Sequence, residues 1–113
     1  MVGIGNVVMN VKDAQRAADF WSRALGYRRA GKEGLVLVAP DGAEPRVVMD
    51  ETDRAHLDLY TQNAQEQQAE IERLISLGAR RIPDWEYPPG ADFAVLEDTE
   101  GNVFCVCVLN AGS

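Results

Sequence analysis

The chain has 113 residues, of which 46% are apolar and 26% charged, and a chain of this length buries a core as one domain without disulfides or metals. Its 18 acidic and 11 basic residues give a formal charge of −7, which argues against a nucleic-acid partner, because such proteins carry a basic surface. No apolar run approaches the about 20 residues that span a bilayer, and no secretion signal is recognisable. We therefore expect a cytoplasmic protein with neither a nucleic-acid nor a membrane partner.

The first half of the chain predicts a strand, a helix and a hairpin. Asp13 is suited to the N-cap of the helix, Gly26 fits the position after its end, and the apolar face between them includes Phe20 and Trp21, which we expect in the core. Alternation of polar and apolar residues predicts the strands. These are 6–11, 34–39 and 46–49.

The second half repeats this order. Asn63 and Glu66 have the spacing of a capping box, and Gly78 follows the predicted helix. The predicted strands are 56–61, 92–97 and 103–108, with a weakly marked strand directly after each helix, at 26–30 and 79–82. The repeat aligns Asn6 with His56, Gly26 with Gly78, and Gly42 with Gly101. We therefore predict an α+β domain over 1–113 built from two tandem βαβββ modules, about 1–52 and 53–113, whose curved mixed sheet surrounds a cavity.

Side chains that face away from the helices are the candidates for lining this cavity, because successive residues of a strand point to opposite faces. They are Asn6, Val8 and Asn10 in the first strand, His56, Asp58 and Tyr60 in its repeat, and Cys105 and Cys107 in the last strand. The two cysteines lie two apart on one strand and are poorly placed to bridge, so we expect free thiols. Trp85 and Tyr87 stand in a proline-rich loop, 83–92, where they either contact a ligand at the cavity mouth or pin the loop to the body.

Three segments of the chain resemble the vicinal oxygen chelate superfamily of glyoxalases, bleomycin-resistance proteins and extradiol dioxygenases. They are V-V-M-N-V-K-D followed by A-D-F-W-S-R-A-L-G-Y, then R-A-H-L-D-L, and finally L-E-D-T-E-G-N-V-F-C-V. The resemblance is closest to small glyoxalase-like domains. It implies that the protein forms a homodimer, as relatives in this superfamily commonly do. It also implies four positions for a divalent metal, which here hold Asn6, one residue of 47–49, His56 and Cys105, whereas His, Gln or Glu is usual at these positions.

Three functions are consistent with these residues. Because one of the four family ligands survives, we expect a small organic ligand bound without a tightly held metal cofactor; if a metal binds, His56 and Cys105 are its expected ligands. The alternative is a glyoxalase-type lyase or isomerase, with His56 as metal ligand or general base and Asp58 orienting it. A nucleophilic pair of Cys105 and His56 is the third possibility.

Overall fold

Each half of the chain folds as a βαβββ module in the computed structural model, which describes residues 2–108. Module one contains β1 (Gly3–Asn10), α1 (Ala14–Leu25), β2 (Arg28–Ala30), β3 (Val36–Val38) and β4 (Arg46–Asp50). Module two contains β5 (His56–Thr61), α2 (Ala64–Ser76), β6 (Arg80–Arg81), β7 (Phe93–Glu97) and β8 (Val103–Val108). The predicted α+β class and the order of elements are confirmed, including the short strand after each helix.

The two modules share one strand topology. In module one the order is β2-β3-β4-β1, with β1 parallel to β4; in module two it is β6-β7-β8-β5, with β5 parallel to β8. Val8 pairs with Val48 in the first module, and Asp58 pairs with Cys105 in the second. Aligning Asn6 with His56 therefore makes Val8 the equivalent of Asp58, and Val48 the equivalent of Cys105.

Both helices begin at the predicted caps. The Asp13 carboxylate accepts a hydrogen bond from the Arg16 amide at 3.0 Å, and the Asn63 side chain accepts one from the Glu66 amide at 2.8 Å. The Glu66 carboxylate in turn accepts from the Gln62 amide, one residue before the cap. Each helix thus satisfies backbone donors that have no partner within the helix.

Each module has its own apolar core beneath its helix. The core of module one forms around Ala18, Leu37 and Met49, and that of module two around Ile71, Leu96 and Val106. The prediction that Phe20 belongs to the core is wrong: its side chain is 60% exposed and packs edge-on against Trp21, with ring centroids 5.1 Å apart. Consecutive helical residues point about 100° apart, so only Trp21 of this pair reaches the core.

Residues 4–56 form one compact unit, and residues 57–108 together with 2–3 form another. The division between the two units falls inside β5, just after His56. Neither helix of the described segment has the length and apolarity needed to cross a membrane. The organisation as one domain and the curvature of the sheet around a cavity stay predictions.

Candidate functional site

In module one, the family's first metal position is held by an amide that already contacts a cation. Asn6 is 9% exposed, and its Oδ1 accepts a hydrogen bond from Arg46 Nε at 3.0 Å. The parallel register of β1 and β4 places these two residues opposite each other. A guanidinium next to a candidate ligand repels a metal cation, so Asn6 does not fit that role.

The family's second metal position falls on Val48. Val47 packs against the core of module one and Met49 is part of it, so Val48, between them on β4, faces away from the helix. It is also the register equivalent of Cys105. Since Val48 offers no ligand atom, the residues of module one do not fit the family's four-ligand metal centre.

Asn10 and Val8, the other predicted site residues of β1, have different surroundings. The Asn10 amide nitrogen donates to the Asp53 carbonyl at 2.6 Å and so ties β1 to the segment that leads into module two. In the same segment the Asp50 carboxylate accepts hydrogen bonds from the backbone amides of Asp53 and Thr52, which lower the pKa of Asp50. Val8 is buried next to Val48. Asn10 thus has a structural role, and ligand contact by it stays a prediction.

His56 opens β5 with a nearly buried side chain, 10% exposed. Its Nδ1 lies 2.8 Å from the carbonyl oxygen of Arg54 and 3.8 Å from the Asp53 carboxylate. A carbonyl only accepts hydrogen bonds, so Nδ1 carries the proton and, in the neutral ring, Nε2 carries the lone pair. The backbone of the preceding turn therefore fixes both the orientation and the tautomer of the imidazole.

Three predicted site residues meet on the face of module two that points away from α2. One ligand atom from each of His56, Asp58 and Cys105 lies within 4.8 Å of the other two, and all three residues are half-buried. Strand register explains the meeting, because Asp58 lies opposite Cys105 on β8 and His56 is two residues before Asp58 on β5. The structure thus brings together an imidazole, a carboxylate and a thiol.

Tyr60 and Cys107 lie opposite each other on β5 and β8, two residues beyond Asp58 and Cys105. Burial raises the pKa of the Cys107 thiol to about 12, with further contributions from the charges of Asp58, Cys105 and Asp92. The Cys107 thiol is therefore neutral at physiological pH. Neither Cys107 nor Cys105 is in a disulfide, as predicted.

The aromatic residues of the 83–92 loop differ in their attachment. The backbone amide of Val95 donates to the Tyr87 hydroxyl at 2.8 Å, and the Tyr87 ring lies 5.5 Å from that of Phe93. Tyr87 therefore anchors the loop to β7 while remaining 42% exposed. Trp85 is half-buried, and its contact with a ligand stays a prediction.

Two features were missed from the sequence. Arg46 stood in a predicted strand, but its contact with Asn6 follows only from the parallel pairing of β1 with β4. A cleft of about 290 Å³ also opens at the start of α1, where the Glu51 carboxylate accepts from the Ala14 amide at 2.8 Å. The cleft is lined by Ala14, Gln15, Glu33, Leu35, Met49, Asp50 and Glu51.

The chain matches known proteins in family and in fold. Residues 6–107 match the model of the glyoxalase-like domain family. No curated protein matches the chain significantly. Among solved structures, methylmalonyl-CoA epimerase from Mycobacterium tuberculosis is similar at a TM-score of 0.63 and 16% identity, covering 97% of this chain and 89% of its own. NAD-dependent benzaldehyde dehydrogenase from Legionella pneumophila is similar at a TM-score of 0.65 and 11% identity, covering 93% of this chain and 98% of its own. Methylmalonyl-CoA epimerase from Streptomyces coelicolor is similar at a TM-score of 0.56 and 16% identity, covering 96% of this chain and 97% of its own. Identities this low support the fold alone.

Proposed function

Since the chain belongs to the glyoxalase-like domain family of the vicinal oxygen chelate superfamily, we propose that it binds a small organic molecule without the metal centre that this superfamily builds from both modules. The contact between Arg46 and Asn6 is the observation that supports this most directly, because it puts a cation next to the side chain at the first metal-ligand position. Val48 at the second position adds no donor. Binding, rather than metal-centred catalysis, is the function that fits module one best.

The chemistry of this face also suggests what kind of molecule it favours. Arg46 is half-buried on β4, and a guanidinium in partly dehydrated surroundings makes strong paired hydrogen bonds to a carboxylate. Val48 lies two residues further along the same face of β4 and offers apolar contact. We therefore propose a ligand that combines an apolar body with a carboxylate or a similar oxygen anion.

A matched pair of probes tests this proposal. Benzoate and benzamide have nearly the same shape and differ in charge, and the expected result is that benzoate raises the melting temperature more than benzamide does. Arg46→Met removes this preference, whereas Arg28→Met, which removes an exposed arginine of β2, leaves it intact. Equal shifts by both probes, or a preference that survives Arg46→Met, would contradict the proposal. Native mass spectrometry of freshly purified protein then identifies the natural ligand by its mass.

A lyase or isomerase of the glyoxalase type is the second candidate, and the setting of His56 favours it. The Arg54 carbonyl holds Nδ1–H, which leaves Nε2 as a base, and Asp58 lies in the same group of side chains. Such an enzyme exchanges a carbon-bound proton next to a carbonyl with solvent. Incubation of the identified ligand in heavy water, followed by mass spectrometry, separates the candidates: uptake of deuterium that His56→Ala abolishes indicates the enzyme, and no uptake indicates the binder.

A further inference from the structure

The three side chains that meet in module two form a ligand set different from the family's. The family centre takes two positions from each module, and in module two these are His56 and Cys105. Asp58 is not one of them, and its equivalent in module one is Val8. Yet Asp58 lies with the other two within 4.8 Å, on the neighbouring strands β5 and β8. A cation bound here needs no ligand from module one.

We propose that His56, Asp58 and Cys105 form a three-ligand site for a thiophilic divalent cation, with Zn²⁺ as the expected ion. Nitrogen, oxygen and sulfur are the ligand atoms that zinc accepts together, whereas Mg²⁺ and Ca²⁺ prefer oxygen alone. On binding, the cysteine thiol releases its proton to solvent, and the thiolate and the Asp58 carboxylate together balance the two charges of the ion. This inference does not rest on the proposed ligand-binding function.

The geometry of the group suits such an ion after a small contraction. Tetrahedral zinc with bonds of about 2.0–2.3 Å places its ligand atoms about 3.3–3.8 Å apart. The present spacing of up to 4.8 Å therefore requires a shift of about 1 Å, which side-chain rotation on adjacent strands supplies. His56 is already oriented, because a backbone carbonyl holds its Nδ1–H in the way that outer partners commonly hold metal-binding histidines. Three protein ligands leave a fourth coordination position for water or an exogenous ligand.

Titration of the chelator-treated full chain with Co²⁺ is the test, because cobalt substitutes for zinc and reports its ligands by colour. The expected result is a thiolate-to-cobalt charge-transfer band that saturates at one ion per chain and disappears on adding Zn²⁺. Cys105→Ser abolishes the band. Cys107→Ser, which alters the same face of β8 two residues further on, retains it and is the matched control. Asp58→Asn keeps the band but weakens cobalt binding about tenfold or more.

Two further measurements keep the test conclusive even if a variant folds poorly. Native mass spectrometry of the wild-type chain counts bound Zn²⁺ directly, and circular dichroism of each variant in chelator reports whether its fold is intact. Absence of the charge-transfer band in the wild type, or its equal loss in Cys105→Ser and Cys107→Ser when both variants are folded, overturns the proposal. The benzoate and benzamide comparison is made in chelator, so its outcome is independent of this one.

Discussion

The two modules place different chemistry at equivalent positions of the same scaffold. Where module one has Asn6 bonded to Arg46 and the apolar Val48, module two has His56 and Cys105. The cation is thus in one module, and the imidazole, carboxylate and thiol are in the other. Register, rather than sequence spacing alone, identifies which residues of a repeated fold are equivalent, and the two copies here carry different functional groups at equivalent positions.

The largest expected effect tests whether the apolar cores of the two modules contribute equally to stability. Leu37 pairs with Val47 on β4, and Leu96 pairs with Phe104 on β8, so the two leucines are equivalent; both are fully buried. Leu37→Ala and Leu96→Ala are each expected to lower the free energy of unfolding by about 2–5 kcal/mol, because each leaves a cavity. Urea denaturation measures both. If only one of the two variants has a lower free energy of unfolding than the wild type, the two leucines do not contribute equally to stability.

The next effect concerns the polar pair formed by Arg46 and Asn6 in module one. Arg46→Ala leaves the buried Asn6 amide without its 3.0 Å hydrogen bond, and the expected cost is about 1–3 kcal/mol. A double-mutant cycle with Asn6→Ala isolates the pairwise contribution. Additive costs for the two single variants would show that the contact does not contribute to stability.

The helix caps give a smaller effect that should be similar in both modules. Asp13→Ala and Asn63→Ala each remove the side chain that accepts a hydrogen bond from the first turn of a helix, at an expected cost of about 1 kcal/mol. Asp13→Asn and Asn63→Asp keep an acceptor and serve as controls. A cap variant as stable as the wild type would show that water replaces the side chain at that helix.

The fold was largely predictable from the sequence, whereas the site was predictable only in part. Alternation and caps located the modules and even the short strands β2 and β6, because these signals are local. Strand alternation and the family resemblance also marked His56 and Cys105 as candidate site residues. The meeting of Cys105 with His56 and Asp58, and the contact of Arg46 with Asn6, depend on which strands pair and in which register. Phe20 was misplaced because it lies beside the face of α1 that packs on the core with Ala18 and Trp21, and not on that face.

The smallest effect depends on pH and lies in the β7–β8 turn of module two. The Asp98 carboxylate accepts hydrogen bonds from the side chain and backbone of Asn102 and from the Glu100 amide, which together lower its pKa below the ordinary 3.8. A lowered pKa in the folded chain means that the charged form stabilises the fold above about the ordinary value, and that this contribution is lost as the pH falls through the lowered pKa. Asp98→Asn is therefore expected to melt slightly below the wild type at neutral pH, with a difference that shrinks on acidification below 3.8. Melting curves across the acid range measure this. A difference that stays constant with pH would show that the turn depends on the shape of the side chain and not on its charge.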